Sequence, residues 1–405
     1  MSRTLRLAAL AASMLALPFA AQAQDKWGDK PLKIGVLSDF SSMYANYAGD
    51  NALASWRFAV QDFLDKHPNR KVEIVFADHL NKPDVASAIV RKWYDQENVD
   101  MVGSIAASAP ALAVQLIGKE RNKLTVVSSA SSSAILGEQC TGMTVQWPYN
   151  SRVMGDSSIK ALMSEGNDSW FFVTMDNAGG DAYQNDATDT ITKAGNKVAG
   201  SVRHPFGNLD FSSYILRAQQ SGAKVIAMAN SGPDTVNTIK AAADFGLMQK
   251  QKLVGLGMSL QDIHAVTLQV AQGLYFGDGW YWDLNDDTRA YGRRFFAERK
   301  QMPSNAMASD YSAALTYLNA ADAVDSKDAK TVLAQLKKTK VNDMYTKDGY
   351  VREDGQMIHT YYLFQAKKPS ESKYAWDYLN LVKSIPGDVA YQPLSESKCP
   401  MFKKS

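Results

Sequence analysis

LKIGVLSDFSSMYANYAGDNALASWRFAVQDF, residues 32–63, decides the fold class. Leu32 to Leu37 form a short, mostly apolar run, the pattern of a strand buried on both faces. From Gly49 onward, Ala52, Trp56, Ala59 and Phe63 recur at the three- and four-residue spacing of a helix face. Between them the chain passes through serines and two tyrosines, Tyr44 and Tyr47. In an open α/β sheet such a turn lies at the carboxyl edge of the strands, where ligands bind.

The same strand-then-helix format repeats on either side. Strands are expected at 72–77, 100–105 and 124–128, with helices at 49–66, 83–97 and 109–121. A second series has strands at 170–175, 197–203, 225–229, 252–255 and 274–276, with helices near 150–165, 180–194, 210–221 and 233–245. This alternation predicts parallel sheets with crossover helices. At 405 residues the chain exceeds one ordinary core, so two similar lobes are expected. After the turn-rich GDGWYWDLNDD, residues 277–287, helices are expected near 286–301, 306–323 and 327–339. Strand-like pieces follow over 349–366, with Asp354-Gly355 as a hairpin signal, and the remainder reads as loop-rich.

The opening MSRTLRLAALAASMLALPFAAQAQ has a basic start, a short apolar middle and a small-residue close. That is the pattern of an export signal over residues 1–23, cleaved near Ala23 and too short to span a membrane. No cysteine stands near the cleavage point, so lipid attachment is not expected and the mature protein should occupy the periplasm. Arg3 and Arg6 aside, 42 of the 44 basic residues face 42 acidic ones, a balance that argues against nucleic acid or an anionic membrane as partner. Cys140 and Cys399 are the only cysteines. An oxidising compartment allows them to pair, which over so long a loop would constrain the unfolded chain by about 4 to 5 kcal/mol; the alternative is two free thiols.

Four stretches in this order resemble the leucine/isoleucine/valine-binding protein family, the type I periplasmic binding proteins that serve ATP-driven (ABC) importers. They are residues 32–63, VDMVGSIAASAPALAVQLIGKERNKLTVVSSASS (99–132), WFFVTMDNAGGDAYQNDATDTITKAGNKV (170–198) and RFFAERKQMPSNAMASDYSAALTYLNAA (294–321). The resemblance implies an α/β fold of two Rossmann-like lobes joined by a three-stranded hinge, with a solute trapped between them. The lobes would comprise 27–147 plus 279–345 and 148–278 plus 346–405. It also implies a small-molecule ligand, a membrane permease and ATPase as partners, and a monomer. No cofactor or metal is expected.

Residue by residue, the first loop of this family supplies a ring against the solute, which falls on Tyr47, with Tyr44 second. Ser108 matches a carboxylate-holding serine. Ser131 and Ser132 match a later pair that holds the solute's headgroup, with Ser129 beside them. Serine hydroxyls and free amides at a helix start suit a carboxylate. The second lobe departs from the pattern. Where amino-acid receptors carry a glutamate for the ammonium, LVGLGMSL (253–260) places Gly257 or Met258. In MDNAGGDAY, after Asn177, Gly179-Gly180 stand where a tyrosine is common, and Asn230 replaces a ring position. Trp280 is expected as a pocket wall. A retained anion holder, a missing cation holder and added aromatic surface imply an aromatic acid of the hydroxybenzoate or phenylpropenoate type. Branched-chain or other amino acids are the alternative ligands, and a sensing subunit for a membrane receptor is a second role for the same cleft.

Enzymatic signatures are absent. His67, His79, His204, His264 and His359 are scattered, with no HExxH pair and no G-x-S-x-G elbow. Asp283–Asp287 lacks the glycine and closing glutamate of a calcium loop.

Overall fold

The computed structural model describes residues 26–28 and 30–402; the expected export signal, residues 1–23, lies outside them. Chain order opens with β1 (Leu32–Ser38), α1 (Gly49–Lys66), β2 (Val72–Asp78), α2 (Pro83–Asp95), β3 (Met101–Ser104), α3 (Ser108–Glu120), β4 (Leu124–Val127) and β5 (Thr144–Gln146). These strands make a five-stranded parallel sheet in the order β2-β1-β3-β4-β5. Helices cover both of its faces, so β3 and β4 are buried throughout. Close packing depends on a missing side chain: a Cβ on Gly103 of β3 would lie 2.4 Å from the Trp56 ring of α1.

The second lobe runs α4 (Ser151–Ser164), β6 (Ser169–Met175), α5 (Ala178–Lys193), β7 (Lys197–His204), α6 (Ser212–Gln220), β8 (Val225–Ser231), α7 (Pro233–Asp244), β9 (Lys252–Gly257), α8 (Leu260–Val266), α9 (Leu268–Ala271) and β10 (Tyr275–Asp278). The chain then returns to the first lobe as α10 (Asp286–Arg299), α11 (Asn305–Ala323) and α12 (Ala329–Lys338). The α11 helix packs along α1, where Trp56 Nε1 donates to Asp310 Oδ1 at 2.7 Å. A small antiparallel sheet follows, of β11 (Lys340–Val341), β12 (Gly349–Val351) and β13 (Met357–Ile358), with the expected Asp354-Gly355 turn joining the last two. Finally β14 (Tyr361–Ala366) and β15 (Leu379–Ile385) add antiparallel to β10, giving the order β15-β14-β10-β9-β8-β6-β7. A short α13 (Gly387–Ala390) begins the C-terminal tail.

The chain therefore passes between the two sheets three times, after β5, after β10 and after β13, and forms two α/β lobes with a cleft between them. The division expected at 345/346 falls inside the small sheet, which a parallel bridge between Gln146 and Gln356 fastens to β5. Residues 346–358 thus sit with the first lobe. The tail also returns there: Tyr391 Oη donates to Pro148 O at 3.0 Å, Lys398 pairs with Glu138 at 3.3 Å, and Cys399 is joined to Cys140. No described helix is long and apolar enough to cross a membrane.

Candidate functional site

The turn after β1 is held from within. Asp39 is fully buried, and its carboxylate accepts from Ser42 N at 2.7 Å, Ser42 Oγ at 2.5 Å and Tyr44 N at 3.0 Å. So fixed, the turn sends both tyrosines to the second lobe. Tyr44 Oη lies 3.0 Å from Ser231 Oγ, and Tyr47 Oη donates to Asp262 Oδ1 at 2.7 Å. Gly232 has φ +62°, and a Cβ there would meet the Tyr44 ring at 3.2 Å, so glycine serves both the backbone and the closure.

Two helix starts face one another beside these rings. The α3 helix begins at Ser108 after Ala107, which has no side chain to cap it. Its first amides therefore retain donor capacity, and the helix dipole adds positive potential there. Opposite, Asn177 Oδ1 caps α5 by accepting from Gly179 N and Gly180 N, each at 3.0 Å. The loop after β4 adds hydroxyls. Ser129 Oγ is buried without a hydrogen-bond partner among the described residues, and the Ser131 hydroxyl pairs with Tyr183.

These groups line one cavity of about 260 Å³ between the lobes. Tyr149, Tyr183, Phe206, Met154 and Met175 supply much of its apolar wall. Tyr44, Tyr47, Ser108, Ser129, Ser131, Asn177 and Met258 all line it. Three expected residues do not. Ser132 caps a 3-10 turn, accepting from Ala134 N at 3.3 Å. Asn230 is fully buried and held by Thr235 and Thr238, each at 2.9 Å. Trp280 turns inward, where Nε1 donates to Met344 O at 3.1 Å and the ring meets Tyr291 edge-on.

Sequence reasoning missed Tyr149, Asn305 and above all Asp278. Asp278 closes β10, is 5% exposed and lines the cavity. The position expected for a cation-holding carboxylate does hold Gly257 and Met258, yet β10 brings a carboxylate into the cleft from another strand. The premise that the cleft lacks an acid is corrected accordingly.

Burial raises Asp278, Asp262 and Asp310 to about 7, and Asp234 to about 6. A carboxyl raised on folding binds protons that the unfolded chain has released. Its stabilising contribution is therefore complete below about pH 4 and is lost as pH rises through the folded value. His79 and His359, both lowered to about 4 by desolvation, work in the opposite sense. Their contribution is complete above the ordinary histidine value near 6.5 and is lost only below it. Above pH 6.5 the acids alone set the slope, so the melting midpoint of the ligand-free protein is expected to fall between pH 6.5 and 8.5 in scanning calorimetry. A flat or rising midpoint over that interval would contradict the assignment.

Residues 31–373 match the sequence profile of the periplasmic binding proteins. A periplasmic binding protein from Burkholderia mallei superposes with a TM-score of 0.89 at 41% identity, the match covering 92% of this chain and 99% of that one. A branched chain amino acid ABC transporter periplasmic ligand-binding protein from Burkholderia xenovorans LB400 gives 0.83 at 38% identity, covering 92% and 100%. Leu/Ile/Val-binding protein homolog 6 of Brucella melitensis is 28% identical over 229 residues, 53% of this chain and 55% of the relative. The matched region thus spans about half the length of the curated relatives.

Proposed function

Because the chain belongs to the periplasmic binding protein family, we propose that it closes its lobes on a small carboxylate outside the cytoplasmic membrane and delivers it to the permease and ATPase of an ATP-driven importer. The observation that carries this reading is the Ser129 hydroxyl, buried with no partner among the described residues, in a residue that lines the same cavity as the uncapped start of α3. A buried hydroxyl without a partner is costly. A carboxylate in the cavity would accept from it, and from the neighbouring amides and the Ser131 hydroxyl.

The walls favour a ring-bearing acid of the hydroxybenzoate or phenylpropenoate type. Tyr44, Tyr149, Tyr183 and Phe206 all line the cavity, and an aromatic contact adds about 0.5 to 1.5 kcal/mol beyond its buried area. Micromolar capture needs about 8 kcal/mol net. Two hydrogen bonds to a charged group at about 1.5 to 3 kcal/mol each, with one ring contact and apolar burial, are of that order before the costs of association. An apolar amino acid is the second reading. The carboxylate of Asp278 favours it, as does the 38% identical relative described as serving branched chain amino acids.

A thermal-shift panel of aromatic acids, aliphatic acids and amino acids tests the proposal. A ligand present at a hundred times its Kd should stabilise the protein by about 2.7 kcal/mol, so at least one acid should raise the midpoint clearly. The proposal fails if none does so at millimolar concentration.

A further inference from the structure

The cavity offers the solute an acceptor as well as donors. Among the described residues, Asp278 is the only carboxylate lining it, and no lysine, arginine or histidine lines it. One oxygen of Asp278 is fully engaged: Oδ1 accepts from Gly279 N at 2.9 Å and from Asn305 Nδ2 at 2.6 Å. Asn305 is itself oriented, because its own Oδ1 accepts from Tyr345 Oη at 2.6 Å, which turns the amide NH₂ toward Asp278. Among the described residues none donates to Oδ2. A side chain 5% exposed, braced on one oxygen by an oriented amide and open on the other, is held in place for something that enters the cavity.

A purely structural acceptor would need only the engaged oxygen. Burial raises this carboxyl to about 7, and once it is ionised above that pH the second oxygen is a strong acceptor inside a largely apolar enclosure, where an unmatched polar group is costly. The anion-holding donors belong to Ser108 and the loop of Ser129 and Ser131, whereas Asp278 enters from β10 beside Asn305 at the start of α11. The two features are separate and opposite in character.

We propose that Asp278 Oδ2 accepts a hydrogen bond from the captured solute, so that the ligand class is a small carboxylate that also carries an N–H or O–H donor, an amino or hydroxy acid. This rests on the reading of the cleft as a carboxylate receptor. An unsubstituted acid would leave Oδ2 unmatched and bind less well. The Asp278→Asn variant sharpens the distinction. Gly279 N and Asn305 Nδ2 are both donors, so they would draw the new amide oxygen toward themselves and leave its NH₂ facing the cavity. The acceptor would become a donor.

Calorimetric titration of the full chain at pH 8.5, where Asp278 is ionised, with two matched pairs tests this: 4-hydroxybenzoate beside benzoate, and leucine beside 4-methylpentanoate. In the wild type, the donor-bearing member of at least one pair should bind at least tenfold more tightly, and the pair that responds identifies the donor as hydroxyl or ammonium. In Asp278→Asn that preference should shrink to threefold or less. Equal affinities within both pairs in the wild-type protein, or a preference that survives Asp278→Asn, would overturn the role of Asp278 while leaving carboxylate capture standing. No heat from any of the four acids would overturn the underlying receptor reading, and this proposal with it.

Discussion

Removing two hydroxyls, Ser129→Ala together with Ser131→Ala, is expected to weaken capture of a small carboxylate at least a hundredfold. Ser129 Oγ has no partner among the described residues, so its loss takes no hydrogen bond from them. Ser131 loses only its contact with Tyr183. What both lose is donation to a charged group, about 1.5 to 3 kcal/mol for each bond. The sum is about 3 to 6 kcal/mol, and each 1.4 kcal/mol is tenfold in affinity. The neighbouring Ser132→Ala is the control, because Ser132 Oγ faces Ala134 N and not the cavity. Calorimetric titration should show the double variant severely weakened and Ser132→Ala within about threefold of wild type. A double variant that binds within threefold of wild type would remove the anion corner from the account.

Replacing both cysteines, Cys140→Ser with Cys399→Ser, is expected to cost about 2 to 5 kcal/mol of stability. The bridge spans a sequence separation of 259, and in the chain-entropy picture so long a loop restricts the unfolded chain strongly. Its place in the fold adds to this. The tail leaves the second lobe after β15, passes the crossing segment at Pro148 through Tyr391, and ends against the first lobe. Beyond Tyr391 and Gln392, which Pro148 and Arg352 hold, the bridge is joined by weak surface contacts such as Lys398–Glu138. Urea unfolding followed by circular dichroism should place the double-serine variant at a clearly lower midpoint than the oxidised wild type. A loss below about 1 kcal/mol would show that the tail is anchored by its other contacts.

Much of this architecture was legible because its signals are local. The Leu32–Leu37 run and the Ala52, Trp56, Ala59, Phe63 spacing gave β1 and α1 within a residue, and Asp354-Gly355 gave the β12–β13 turn. What escaped was short or exposed. The β5 strand is three residues, Thr144 to Gln146, too few for a period to register. The α8 helix is seven residues, and its only strong mark was the capping box of Ser259 with Asp262. The β15 strand is an edge, largely exposed, and carries none of the apolar density of a central strand.

The site divides along the same physical line. Tyr44, Tyr47, Ser108, Ser129 and Ser131 follow strands at the carboxyl edge of the first sheet, where the fold itself directs side chains to the cleft. Asp278 also closes a strand at such an edge, yet a lone aspartate beside a glycine reads as a turn, and only the pairing of β10 with β9 and β14 shows where it points. Trp280 misled in the opposite way. Its bulk suggested a wall, but the chain turns at Gly279 and the indole is consumed by packing against Tyr291.

Binding of a negative headgroup between the lobes is most directly measured by titrating the full chain with whichever acid raises its melting point furthest, beside the methyl ester of that same acid. Esterification removes the charge and one acceptor oxygen while leaving the body of the molecule nearly unchanged. The acid should bind with micromolar affinity and the ester at least a hundredfold more weakly. Equal affinities would show that the cleft selects the body of its ligand and not the carboxylate.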